Sequence, residues 1–124
     1  MAMPEDQAMP WVAPADVAAL AATRLLSTQW SGSVVQSVNG PEDLTFPQVA
    51  EIVRRVTGWP VTYTRSSDAS ERAGLRAAGF TQAAIESIVG MCSGLRDAYD
   101  PRRDRDLLST TPTPLEGWVL QHLG

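Results

Sequence analysis

Apolar positions recur at helical spacing from Pro14 onward. Val17, Leu20, Ala21 and Leu25 share a face, and Asp16 sits in the first turn, where a carboxylate suits the positive end of the helix dipole, so a helix is predicted over 14–27. Ahead of it, Trp11 and Val12 suggest a short strand, and residues 1–10 are polar, proline-bearing and aperiodic, a flexible lead expected to add little to the core. The β-branched run Ser33 to Val38 predicts a strand over 33–38, closed by Asn39-Gly40-Pro41. Thr45 with Gln48 three residues on forms a capping box, and Val49, Ile52, Val53 and Val56 make the stripe of a helix over 46–57 that stops at Gly58. A second short strand over 61–64 follows Pro60. Strand, helix and strand with short joints predict a right-handed parallel crossover.

The rest reads as helical. Asp68 is placed to cap a helix over 69–78 that ends at Gly79, and Thr81 to cap a longer one over 82–99 whose stripe runs through Ile85, Ile88, Val89, Cys92, Leu95 and Tyr99. Gly90 and Gly94 inside it imply a close neighbour or a break, because each costs about 1 kcal/mol relative to Ala. Arg102 to Asp106 mix both signs and read as a solvated loop rather than a binding patch. Thr113 as cap, Pro114 at the first helical position and Glu116 predict a final helix over 114–123. The expected fold is thus a small single α/β domain over 11–124, one crossover with additional helices.

Composition narrows what such a domain does. At 124 residues and 44% hydrophobic, the chain is long enough for one core without disulfide or metal staples. The lone Cys92 gives no disulfide framework and suits a reducing, cytoplasmic setting. Net charge is -4 and the cationic residues are all Arg, which disfavours a nucleic-acid backbone as partner. No secretory leader or membrane span is expected, because no basic stretch precedes an apolar one and no apolar run is long enough to cross a bilayer. Neither a G-x-G-x-x-G nor a G-x-x-x-x-G-K loop occurs, so the usual pyrophosphate cradle is missing.

The order of short motifs resembles the C-terminal, substrate-side part of NmrA-like atypical short-chain dehydrogenase/reductases, an NAD(P)H-binding family. Trp11 to Ala18 is similar to the family's V-D-x-x-D-I-A, with Ala13 in place of the first Asp and Asp16 retained. Gly40-Pro41-Glu42-Asp43-Leu44-Thr45 resembles G-P-E-x-L-T, Val53 to Tyr63 the helix with its G-x-P-V-x-Y connector, Gly90 to Asp97 the helix over the cleft, and Thr110 to Leu115 the T-P-x-T-L segment. Nothing in the chain corresponds to the family's N-terminal dinucleotide-binding portion, and without any Lys a Tyr-x-x-x-Lys relay is impossible. The resemblance therefore implies a reductase lobe with no nicotinamide site of its own, NAD(P) entering only if a separate Rossmann part supplies it.

The same resemblance points to Met91, Leu95, Tyr99 and Trp118 as residues lining a pocket for a small apolar molecule, with Tyr99 or His122 as a polar or catalytic handle. Bland readings compete at each position. His122 near a helix C-terminus suits the dipole as a cation, and Cys92 on an apolar stripe suits a buried, inert thiol. A Ser93 nucleophile has no base in sequence reach. Arg96, Asp97 and Asp100 suit a solvated helix end. Trp11, Trp30, Trp59 and Trp118 suit either core ends or a wet-edged interface. Three functions follow: a lobe binding an apolar molecule or a partner protein; a cofactor-independent cyclase, isomerase or lyase shaped by the old cleft; or a fragment or subunit of an NAD(P)-dependent oxidoreductase. Strand edges near Val34 to Val38 and Val61 to Tyr63 invite pairing, so a homodimer or a partner protein is expected there.

Overall fold

A computed structural model describes residues 2–98 and 105–124. The elements run β1 (Ala8–Pro10), α1 (Pro14–Leu26), β2 (Asp43–Thr45), α2 (Phe46–Thr57), α3 (Asp68–Ala77), α4 (Gln82–Ala98) and α5 (Leu115–His122). All five predicted helices form, within a residue or two of their expected bounds.

The sheet differs from the expectation. Its two strands, β1 and β2, are antiparallel, with Ala8 opposite Thr45, Met9 opposite Leu44 and Pro10 opposite Asp43. Residues 33–38 and 61–64 are not strands, and neither are Trp11 and Val12. A β-branched run becomes a strand only where a neighbour completes its ladder, and the described residues offer none to these segments. The one parallel contact among them is the isolated bridge between Asn39 and Thr110. It is held by Asn39 N–H donating to the Ser109 carbonyl at 2.7 Å and Thr111 N–H donating to the Asn39 carbonyl at 2.8 Å. The parallel crossover is therefore absent from the described residues.

The lead-in residues, expected to add little to the core, supply part of it instead. Met3 is 1% exposed and shares the deepest burial with Ile85 and Val119. Three long-range bonds tie this segment down: Tyr63 Oη donates to the Met3 carbonyl (2.6 Å), Arg96 to the Ala2 carbonyl (2.9 Å) and Gln7 Nε2 to the Leu95 carbonyl (2.5 Å). Proline and acidic residues hid this from a periodicity reading, because the buried Ala2, Met3 and Pro10 make no periodic pattern.

Helix ends also moved by small steps. The α2 capping box is complete: Thr45 N–H donates to Gln48 Oε1 and Gln48 N–H to Thr45 Oγ1. For α3 the cap is Ser67, which accepts from Ser70 N–H at 3.1 Å, and not Asp68. Asp68 turns to Arg96 instead, in a bidentate pair at 3.0 and 3.1 Å that locks α3 against α4. Thr113 does not cap α5 either. Its backbone N–H and hydroxyl both donate to the Asp16 carboxylate, at 3.1 and 3.0 Å, joining the start of α1 to the start of α5. Gly90 and Gly94 neither break α4 nor meet a close neighbour, since a Cβ at either would reach open space. Arg105 is no free loop cation. It donates to the Gly40 carbonyl at 2.5 Å and pairs with Asp43.

The Arg96 bond holds the Asp68 carboxyl below its ordinary range, and a bond from Arg72 does the same for Glu86. A carboxyl depressed in the folded state stabilises the fold above its unfolded pKa, about 3.9 for Asp, and that stability drains as pH falls through the lower folded value. Melting temperature is expected to be flat from neutrality down to about the unfolded value and to drop between it and the lower folded value. Asp68→Asn should lose stability at neutral pH and show a shallower acid limb in a melting-temperature profile. An unchanged limb would mean the pair contributes nothing to folding.

Candidate functional site

The site is built around the exit of β1. The short strand delivers Trp11 and Val12 into the centre of the molecule, where they stand between two apolar cavities and line both. Trp11 is oriented by its Nε1–H, which donates to the Leu44 carbonyl at 3.0 Å, and by an edge-to-face contact with Phe46 at 5.2 Å between centroids. Phe46 in turn stacks on Tyr63 at 5.2 Å. With its one donor satisfied within β2, the Trp11 indole presents only apolar faces.

One cavity, about 480 Å³, lies between the β1 exit and α4. Met3, Met9, Trp11, Phe46, Met91 and Leu95 form most of its wall, with Cys92 and Val38. The other, about 330 Å³, lies between α2 and α5 and is closed by Val49, Val53, Leu115, Trp118 and Leu123 with the segment Trp11 to Pro14. Volumes of this order suit small ligands. Among the described residues, the Cys92 thiol is the one side chain of titratable type lining either cavity, so these residues can bind, orient and exclude water but bring no acid and base pair together there.

The residues singled out from the sequence are therefore split. Met91 and Leu95, one turn apart on α4, share the larger cavity, and Met91 remains half exposed at its mouth. Trp118 belongs to the smaller one. Tyr99 lies outside the described residues, as does Asp100. His122 is exposed, stacked on Trp118 at 4.6 Å with its Nδ1 at 2.8 Å from the Trp118 carbonyl, and lines neither cavity. Cys92 is buried, as its place on the stripe implied. Ser93 donates to Asp97 at 3.2 Å, within the exposed side of α4. Sequence reading missed Met3, Met9 and Phe46, which come from the lead and from the start of α2. The only local signal was the density of methionines before Pro10.

Gly40 explains why the β1 exit is so well fixed. Its N–H donates to the Pro10 carbonyl at 3.2 Å, and a Cβ there would stand 1.5 Å from the Trp11 carbonyl oxygen. Only glycine lets the two backbones approach this closely.

This geometry has counterparts among solved structures. The NADPH-dependent quinone oxidoreductase of Escherichia coli superposes with a TM-score of 0.72 at 24% identity, over 95% of this chain and 43% of that one. Its NADPH complex gives 0.68 at 26% identity, over 98% and 43%. The triphenylmethane reductase of Citrobacter sp., complexed with NADP(H), gives 0.67 at 23% identity, over 93% and 41%. The fold is similar to part of these NADP(H)-dependent reductases. The chain spans less than half the length of each. No family model and no curated protein matches it. Among the described residues no helix is long and apolar enough to cross a membrane.

Proposed function

We propose that this chain is the substrate-side lobe of an NmrA-like reductase fold and binds a flat, apolar small molecule in the cavity between the β1 exit and α4, without a nicotinamide site of its own. The observation that carries the reading is that cavity: about 480 Å³, walled by aromatic faces and adaptable methionine side chains, with Met91 at its mouth. Methionine and aromatic walls suit a planar ring system, because sulfur contacts ring edges and indole stacks on ring faces. The solved neighbours named for acting on quinones and triphenylmethane dyes are in keeping with such a ligand.

The described residues do not fit a dinucleotide. A pyrophosphate cradle wants glycines in a strand-to-helix turn, with free N–H groups at the helix start. The three left-handed glycines here, Gly32, Gly58 and Gly79, stand after helices α1, α2 and α3. The starts of α1 and α2 carry proline, which removes a donor, and Gln48 and Thr45 occupy donors at α2. A second reading is favoured by the coverage of less than half of each neighbour: the chain is one part of an NAD(P)H-dependent oxidoreductase whose dinucleotide-binding residues lie elsewhere.

Titration with a naphthoquinone, followed by quenching of tryptophan fluorescence, tests the first reading. Saturable binding is expected, weakened at least tenfold, about 1.4 kcal/mol, by Met91→Glu with the melting temperature nearly unchanged, since Met91 is half exposed. Binding untouched by Met91→Glu, or none at all, would discard the cavity as the site. Calorimetric titration with NADPH is expected to give no micromolar binding, and a micromolar constant for this chain would overturn the absence of a nicotinamide site.

A further inference from the structure

Helix α1 has nine apolar residues in thirteen and buries none of them. Its C-terminal end belongs to a larger uncovered surface. Trp30 Nε1–H donates to the Arg24 carbonyl at 2.8 Å, Arg24 Nε–H donates to Gln36 Oε1 at 2.7 Å, and Gln36 Nε2–H donates to the Leu108 carbonyl at 3.3 Å. These bonds lay three segments side by side: the end of α1, the extended run 33–38, and the turn at 107–108. Leu25, Leu26, Trp30, Val35, Leu107 and Leu108 stand on them, Leu25 at 82% exposure, Val35 at 98% and Leu107 at 97%.

We propose that this surface is where a second copy of the chain docks, forming a two-fold dimer independent of ligand binding in the cavity. Three observations favour a copy over other occupants. The six side chains offer apolar area on the order of the ~800 Å² per partner of a standard interface, well beyond the largest patch of an ordinary monomer. Charge does not oppose it. Although the chain carries -4 overall, the described residues of the three segments pair a cation, Arg24, with an anion, Asp106, whose carboxylate accepts from Leu108 and Ser109 N–H groups. A two-fold operation places each face of such a balanced patch against an identical one, the condition an isologous contact needs. Finally, residues 33–38 make no backbone hydrogen bond to another described backbone group, and an identical extended run from a second copy supplies an antiparallel partner for that edge.

Sedimentation of the full chain across micromolar to high micromolar concentrations is expected to resolve monomer and dimer. Leu25→Glu, Val35→Glu and Leu107→Glu should each raise the dissociation constant at least tenfold, while Leu120→Glu, exposed on α5 and on none of the three segments, should change it less than twofold. In the unsubstituted chain, amide exchange over 33–38 should slow with rising concentration, a readout that does not depend on any variant folding. A chain monomeric throughout, a dimer indifferent to the three substitutions, or open-ended growth would each overturn the proposal. The first would leave the patch to a different polypeptide, such as a dinucleotide-binding lobe. The naphthoquinone titration reads the α4 cavity and is expected to be unaffected by the patch variants, so failure of one reading is separable from failure of the other.

Discussion

Gly40→Ala is expected to be the most damaging single substitution in this chain. A methyl group placed 1.5 Å from the Trp11 carbonyl oxygen cannot be absorbed by a rotamer change, because both groups in collision are fixed to backbone. The β1 exit must move away, breaking the Gly40 to Pro10 bond and the Arg105 contact with the Gly40 carbonyl. The expected cost is about 3 kcal/mol or more, the upper end for overpacking because backbone bonds are lost with it. For a small domain that is a large share of the total stability. Urea denaturation measures it as a lower midpoint. Gly58→Ala is the comparison: Gly58 has φ of 74° but open space around it, so it should cost only about 1–2 kcal/mol for the left-handed backbone. Equal midpoints for the two variants would show that the Trp11 approach is looser than the structure has it. Because Trp11 walls both cavities, Gly40→Ala should also abolish naphthoquinone binding.

Removing residues 1–10 is expected to destroy cooperative unfolding altogether. The deletion takes away β1, the buried Ala2 and Met3, and the acceptors for Tyr63 and Arg96. Truncating the buried Met3 side chain to alanine alone should cost about 2–5 kcal/mol. The whole deletion adds the loss of a strand partner for β2, and it leaves Arg96 with an unused donor beside Asp68. Burial already raises the Tyr63 phenol above its usual pKa, with the Met3 bond as the opposing influence. Circular dichroism and a thermal scan check this. A deleted chain that still melts within a few degrees of the intact one would mean that the lead is ornamental, as its sequence suggested.

These two expectations mark where the sequence was informative and where it was not. Helix α2 was legible down to its cap, because a capping box, an apolar stripe and a stop glycine are local signals that need no partner. The bounds of α1, α3, α4 and α5, though not the caps expected at Asp68 and Thr113, follow from 3.6-residue periodicity and punctuating Gly and Pro. Met91 and Leu95 were legible as neighbours, since one turn of helix puts them on one face. The lead was illegible because what anchors it lies some sixty and ninety positions away, Tyr63 on the Met3 carbonyl and Arg96 on the Ala2 carbonyl. The separation of Trp118 from Met91 depended on how α5 packs against α2 and not α4.

The sequence by itself determined the helices, the break at Asn39 to Pro41, the burial of Cys92 and the resemblance to a reductase lobe. Each is encoded in residues within a few positions of one another. Only the tertiary structure decided which strands pair, which acids cap and which bridge, and which apolar side chains face a cavity or the open patch on α1. Asp68 shows the reason. Its position at a helix start is a local fact, but an Arg96 guanidinium brought 3.0 Å away by the packing of α3 on α4 outcompetes the helix N–H groups for its carboxylate, because a charge-assisted bidentate pair is about twice as strong as a neutral bond. Strands obey the same logic more severely. Residues 33–38 have every intrinsic preference for a sheet, yet a ladder is a property of two segments, and the described residues supply only one.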